Sequence, residues 1–234
     1  MRLSIIIPAI DEEASIEKLI RHLRQGADER LVEIIVADGG SKDQTAAQAQ
    51  SAGAIVLQTP KGRAVQMNEA AKAAKGEILY FVHADSFPPL SYLSDIQQAL
   101  DEGFTIGCYR YVFDSKKLML KINGYFTRFD RIMCRGGDQT LYIRREIFER
   151  LGGYKADFVV MEEYDLITRA RKTEKFKIIP KNALVSARKY DHNSWLRVNF
   201  ANLTVFMMYF WGYHPTVLLR TYRRLLKHPK EKSL

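Results

Sequence analysis

"EILYFVHADSFPPLSYLSDIQQALDEG", residues 77–103, is the stretch on which the fold turns. The apolar run "EILYFV" leads into His83 and Asp85, a loop with two prolines follows, and "SYLSDIQQALDEG" then carries apolar residues at helical spacing. Strand, polar loop and helix form a unit, and outward from it the unit recurs. "LSIII" precedes "EEASIEKLIRHLR", where Ile16, Leu19, Ile20 and Leu23 share one helical face. "VEIIVA" precedes "SKDQTAAQAQSAG", in which Ser41 and Gln44 have capping-box spacing and Gly53 can end the helix. "AIVLQ" precedes "GRAVQMNEAAKAAKG". Four such units in series predict an α/β fold with a mostly parallel sheet flanked by helices.

In an open α/β sheet the strand-to-helix loops gather at the carboxyl ends of the strands, and ligands bind there. The four loops read "PAIDEE", "DGGSKD", "TPKGR" and "HADSFPP", so four separate segments bring polar groups to one rim. Asp38 ends a strand and can accept hydrogen bonds from a ribose or base, while Gly39 and Gly40 allow close backbone approach; a plain turn opening a Ser41-capped helix is the competing reading. Lys61 and Arg63 flank Gly62 at a helix start, where cations and free N–H groups suit a phosphate, although solvated charges fit as well. Neither G-x-G-x-x-G nor G-x-x-x-x-G-K-[ST] occurs. Extended backbone puts His83 and Asp85 on one face; Asp85 is a hard oxygen ligand for Mg or Mn, and His83 can bind metal or hydrogen-bond a nucleotide.

The chain has 234 residues, 47% of them apolar, enough for one large core and too apolar for a disordered chain. A net charge of +9 selects an anionic partner (a sugar nucleotide, a nucleic acid or a membrane surface) without choosing among them. Cys108 and Cys134 lack the number and spacing of a disulfide framework or zinc site, and read as inert thiols in a reducing compartment. In "MRLSIIIPAIDEE" the apolar run is short and acids follow at once, unlike a secretory signal. The expectation is a cytosolic protein whose fold begins at residue 3.

Beyond residue 103 the alternation breaks. "FTIGCYRYVF", "TLYIRR", "FKIIP" and "NALVSARKY" read as strands, and "KKLMLKINGYFTRFDRIM" and "EEYDLITRARKTE" as helices. In "MEEYDL" the carboxylates of Glu162, Glu163 and Asp165 repel one another, which raises at least one pKa toward a value useful to a general base; a solvated acidic turn is the alternative. In "GGDQ", Asp138 and Gln139 can orient hydroxyls or decorate a turn. The apolar run from Phe200 to Tyr213, about 14 residues, falls short of the ~20 of a spanning helix. With Arg220, Arg223, Arg224 and Lys227 behind it, it fits packing on the domain, a homodimer contact, or peripheral membrane binding.

The ordered motifs "SIIIPAIDEE", "IIVADGGSKDQT", "KGRAVQMNEAAKAAKGEILYFVHAD", "YIRREIFERLGGY" and "MEEYDL" resemble the family-2 glycosyltransferases with a GT-A fold, over about residues 3 to 190. His-Ala-Asp in place of the family's Asp-x-Asp, with "GGDQ", is most similar to the branch associated with arsenosugar biosynthesis. The resemblance implies a GT-A domain over 1–192 with a helical, basic C-terminal extension over 193–234. It places Pro8, Ala9 and Glu12 around the nucleotide base, Asp38 on base or ribose, Gly39 beside it, and Gly62, Arg63 and Asn68 near the nucleotide. Asp85 matches the last acid of Asp-x-Asp, the metal ligand. His83 departs from the first acid, which puts strict metal dependence in doubt. Glu163 matches the second acid of the family's Glu-Asp pair, usually the base, with Glu162 and Asp165 the next candidates. Gln-x-x-Arg-Trp, the mark of processive members, is absent.

The expectation is an inverting transfer from a nucleotide diphosphate sugar, UDP-linked, to a hydroxyl on a small-molecule or lipid acceptor, assisted by a divalent metal (Mg or Mn). Two alternatives stand beside it. A sugar-nucleotide nucleotidyltransferase would want an Arg-containing Gly-rich loop after the first strand, which "PAIDEE" lacks. A non-enzymatic basic module for membrane or nucleic acid has only the charge in its favour, since no recognised nucleic-acid motif accompanies it and no nucleic-acid partner is expected.

Overall fold

A computed structural model describes residues 1–135 and 139–227. Strands β1 (Leu3–Ala9), β2 (Leu31–Asp38), β3 (Ile55–Gln58) and β4 (Ile78–Phe81) alternate with helices α1 (Ile16–Gln25), α2 (Thr45–Ser51) and α3 (Arg63–Ala73). A two-residue strand β5 (Ser86–Phe87), α4 (Tyr92–Asp101), β6 (Ile106–Phe113), α5 (Leu118–Phe126), β7 (Leu141–Arg144), α6 (Arg145–Arg150), α7 (Glu162–Ala170) and β8 (Phe176–Val185) follow. Helices α8 (Trp195–Phe210) and α9 (Pro215–Leu225) end the described chain.

The sheet order is β3-β2-β1-β4-β7-β6-β8-β5. Strands β1 to β4 are parallel, β6 and β8 are parallel, and β7 runs antiparallel between β4 and β6. The short β5 pairs antiparallel with β8 at the far edge. Period-2 alternation splits the core between the two faces of the sheet. Ile5, Ile7, Ile34, Val36 and Tyr80 face α1, α2 and α4, whereas Ile6, Ile35, Ala37, Leu79 and Phe81 face α3, α6 and α7. Each of the fully buried Ile, Val, Leu and Phe side chains contributes roughly 1.5–3 kcal/mol of transfer free energy, so strand register is strongly specified. With register fixed, the carboxyl ends of β1, β2 and β4 come to one edge.

The structure departs from the sequence reading at several points. Ser41 does not cap α2: the helix begins at Thr45, and Ser41 bonds to Asp38 instead. The capping-box spacing is present, but a strand-end carboxylate three residues earlier competes for the hydroxyl. "SFPP" contains strand β5, too short to show a period. "FKIIP" and "NALV" form one strand, and "SARKY" leaves it for a 3-10 turn at Arg188–Tyr190. The register of β6 against β8 skips from Tyr109↔Ile179 to Arg110↔Asn182, so Pro180, which has no N–H, sits in a bulge. The segment 116–133 is α5 followed by a single 3-10 turn, Ile132–Cys134. The C-terminal apolar and basic segment is two helices, broken at Gly212 (φ 75°) and restarted by Pro215 at the first helical turn. These pack antiparallel: Tyr222 reaches Asn202, and both ends of the Asn193 amide hold the main chain of Lys227.

Candidate functional site

Asp38 lies at the end of β2, 2% exposed. Its Oδ1 accepts from the Ser41 N–H and hydroxyl and its Oδ2 from Gln58 Nε2 at 3.0 Å, so the carboxylate is oriented before any ligand arrives. Next to it the ends of β1 and β2 are stitched together. Ala9 O accepts from the Gly39 N–H at 3.0 Å and from Gln66 Nε2 at 2.9 Å, and Gln66 also donates to Ala37 O at 2.7 Å. A Cβ on Gly39 would meet the Ile10 side chain at 2.8 Å and that of Gln66 at 3.0 Å, so any larger residue here must displace them. Pro8 stands opposite Ala37 in the β1/β2 ladder.

One arginine joins two of the candidate acids. Arg188, beyond β8, makes a bidentate contact with Glu12 at 2.6 and 2.8 Å and reaches Asp85 Oδ2 at 2.9 Å. Burial opposes the charge on Arg188, but the carboxylates of Glu12 and Asp85 outweigh it and raise the guanidinium above its ordinary value. Ser186 N–H also donates to Asp85 O at 3.1 Å, so β8 anchors the loop that carries Asp85.

The acids of α7 form the second half of the site. Met161 precedes them with φ 70°, a left-handed conformation that costs a non-glycine residue roughly 1–3 kcal/mol and turns the chain into the helix. Glu162 and Glu163, 1% and 4% exposed, sit at the N-terminus of this nine-residue helix, the end whose free N–H groups favour carboxylates. Glu163 Oε1 lies 3.1 Å from His83 Nε2, and Glu162 Oε1 lies 3.1 Å from Arg63, which is 46% exposed. Burial pushes Glu162 up to about 8, with the charge of Glu163 adding to it; Arg63 opposes this but is too solvated to win. Burial works against Glu163 as well, yet the hydrogen bond and charge of His83, helped by Arg63, prevail and hold it down at about 2. The pair therefore carries one proton and one negative charge near neutrality, with the charge on Glu163.

Several candidates sit elsewhere. Asp165 points away from His83, into contacts with Arg169 at 2.6 Å and Lys155 at 3.0 Å. Asn68 donates to Tyr154 O at 2.7 Å and accepts from Tyr154 N–H at 2.9 Å, so both ends of its amide tie down the loop after α6. Gly62 has φ 138° at the start of α3 and sets Arg63 at the rim. Gln139 donates to Tyr109 O at 3.1 Å, and its buried Oε1 has no partner among the described residues. Asp138 lies outside the described residues. Arg188 and Gln66 went unread in the sequence: each acts on residues 29 to 176 positions away, and no local spacing announces it.

Beside Glu163 opens a cavity of about 480 Å³. Arg63 and Glu163 meet it from the acid side, Phe126 and Met133 from α5 and the turn after it, and Leu203 and Phe206 from α8. A second hollow of about 410 Å³ between α3 and α6 contains none of these acids. A divalent cation requires several oxygen donors around it. Among the described residues no three His, Cys, Asp or Glu side chains converge, so no all-protein cage exists. Asp85, 24% exposed and in contact with Arg188, offers one hard carboxylate. That fits a cation of the Mg or Mn kind, which is held by one or two carboxylates together with substrate phosphates.

Known proteins share this fold. Residues 4–165 match Glycosyl transferase family 2. Glucosyl-3-phosphoglycerate synthase from Mycobacterium tuberculosis is 30% identical over 96 residues, 37% of this chain and 30% of that protein. Its crystal structure with Mn2+, UDP-glucose and phosphoglyceric acid superposes with a TM-score of 0.64 at 19% identity, covering 86% of this chain and 78% of the other. A mannosyltransferase from Pyrobaculum calidifontis, in complex with GDP-Man and Mn2+, gives 0.69 at 19% identity over 96% of this chain and 69% of its own. An uncharacterised glycosyltransferase of Haemophilus influenzae is 23% identical over 190 residues, 74% of this chain, and the chain spans 63% of that relative's length. With its GT-A-like sheet and 162 of 234 residues matched, the chain belongs to glycosyl transferase family 2.

Proposed function

We propose that this chain is an inverting glycosyltransferase that moves a hexosyl group from a nucleoside diphosphate sugar, UDP-linked, to an acceptor hydroxyl seated in the cavity beside Glu163. The observation that carries the reading is the position of Glu163, which hydrogen-bonds His83 on the donor rim and lines the acceptor cavity. Asp38 receives the base or ribose, Pro8, Ala9, Glu12 and Gly39 wall that pocket, and Gly62 and Arg63 face the diphosphate. Asp138 and Gln139 stand as contacts for the sugar or acceptor.

Glu163, which reaches the cavity where Glu162 does not, takes the acceptor hydroxyl proton while the oxygen attacks the anomeric carbon. Held low by His83, it is a weak base in the resting site, and the carboxylate raised toward neutrality is its neighbour Glu162. The anomeric bond to the diphosphate breaks, its electron pair leaving with the nucleoside diphosphate. Glu162 keeps its proton and holds the charge of the dyad on Glu163. Asp85, with the diphosphate oxygens, would hold a divalent cation, which supplies charge neutralisation to the leaving group. His83 orients Glu163, which accounts for a histidine where the family has an acid and makes His83 a positioning residue in place of a ligand. Similarity to the arsenosugar-associated branch rests on that His83 substitution and on "GGDQ". A cytosolic site of action is supported by the free thiols Cys108 and Cys134.

The test is a panel of nucleotide sugars with and without Mn2+, read by thermal shift, since a binder stabilises by RT ln(1 + [L]/Kd). Nucleoside diphosphate release is then followed in the wild type and in Glu163→Gln. Glu163→Gln should bind the donor normally and lose roughly 10²–10⁴-fold in kcat. Unchanged turnover would remove Glu163 as the base, and pyrophosphate release would replace sugar transfer by nucleotidyl transfer.

A further inference from the structure

Helix α8 is apolar on two sides. Its inner side buries Val198, Ala201 and Val205 against α9 and the loop at Phe158, as an amphipathic helix requires. Its outer side carries Leu196, Phe200, Leu203, Met207 and Phe210, between 39% and 73% exposed. Their spacing of four and three residues in turn makes one continuous stripe. Helix α5 and its C-terminal continuation repeat the pattern with Leu118, Ile122, Tyr125 and Phe129, and the rings of Tyr125, Phe126 and Phe129 touch one another. The helices adjoin: Asn123 donates to Asn199 at 3.3 Å and accepts from Trp195 Nε1 at 3.2 Å. Both border the Glu163 cavity, and three of its lining residues, Phe126, Met133 and Leu203, are themselves exposed. An apolar surface of this extent around a cavity mouth marks an interaction face.

Charge decides the occupant. Along α5 and its continuation Lys116, Lys117, Lys121, Arg128 and Arg131 stand against Asp114 and Asp130, and α8 carries Arg197 and no acid. The Arg128 guanidinium stands 3.7 Å from the Tyr125 ring centroid, a cation set within the aromatic patch. A second copy of this face would oppose cations to cations, whereas an anionic bilayer offers negative headgroups above an apolar layer. No helix among the described residues is long and apolar enough to cross a membrane. The contact is therefore one that lies on the surface.

We infer that the α5/α8 face docks on an anionic lipid bilayer, with the mouth of the Glu163 cavity turned to the headgroups. Docking requires no sugar chemistry, so it stands or falls apart from the proposed transfer. The full chain is floated with vesicles of phosphatidylcholine alone or mixed with phosphatidylglycerol. Wild type should partition onto the mixed vesicles at least about tenfold more strongly than onto phosphatidylcholine, and Phe200→Glu with Met207→Glu should lose roughly tenfold or more of that binding. If that pair misfolds by circular dichroism, Lys117→Glu with Lys121→Glu leaves the apolar stripes intact and should abolish the preference for phosphatidylglycerol. No preference in the wild type, or variants that bind like it, would overturn the inference. So would a dimer in sedimentation equilibrium that Phe200→Glu disperses while vesicles bind neither protein.

Discussion

Replacing Glu162 by glutamine tests the charge arrangement of the site without touching its geometry. Folded Glu162 titrates at about 8, against an ordinary 4.5, so across that interval the folded chain keeps a proton that the unfolded chain has released. Stability from this group is fully present below pH 4.5 and is lost as pH rises through about 8, because the unfolded state binds fewer protons. At about 1.4 kcal/mol per pH unit the ceiling is about 5 kcal/mol, and sharing of one proton with Glu163 brings the expected loss to about 2–3 kcal/mol. Glu163 has the opposite sign: held down at about 2, it contributes stability above pH 4.5 that is lost only as pH falls toward 2, so it adds no slope in the window. Glutamine has no proton to lose, and urea unfolding at about pH 5.5, 7 and 8.5 isolates the effect as the difference between the two proteins. Glu162→Gln should gain about 2–3 kcal/mol on wild type over that range. A difference constant within about 0.5 kcal/mol would refute the assignment of the proton to Glu162.

Three further variants carry expected outcomes. Arg188→Gln leaves Glu12 and Asp85 without their shared cation, and with Arg188 43% exposed the stability loss should be about 1–2 kcal/mol in urea. In the same variant Mn2+ binding to the free protein, followed by electron paramagnetic resonance, should tighten. Asn68→Ala releases the Tyr154 main chain on both sides and should cost about 1–3 kcal/mol by chemical denaturation, with kcat little changed. Gly39→Ala drives a methyl into Ile10 and Gln66 and should cost about 1–3 kcal/mol, with donor affinity falling alongside in a calorimetric titration.

What the sequence disclosed follows the range of the interactions. Strand-loop-helix periodicity is local, so the parallel half of the sheet and the rim bearing Asp38, His83 and Asp85 were legible from it. Placing β7 between β4 and β6 depends on pairings such as Leu79↔Ile143, which no local pattern reports. Within the site, the His83 to Glu163 contact spans 80 positions and the Glu12 to Arg188 contact 176, so the acids were visible and their partners were not. Asn68 and Asp165 show the converse: both have side chains of the right chemistry close in sequence to the site, and helical geometry turns each to structural contacts with the loop after α6. Among the candidate acids, only the folded geometry separates Glu163, which meets the cavity, from Asp165, which does not.

The wall that α8 and α9 build around the cavity lies outside the 4–165 span shared with the family. The cavity is thus lined from two stretches of chain, Phe126 and Met133 within the shared span and Leu203 and Phe206 beyond it, and α8 and α9 are held there by Asn123, by Tyr164 against Phe206 and by the cluster of Phe158, Val205 and Leu218. Chimaeras joined between Tyr190 and Trp195 would inherit donor choice from the first segment and acceptor choice from the second, so relatives can diversify what they glycosylate without rebuilding how they activate the sugar.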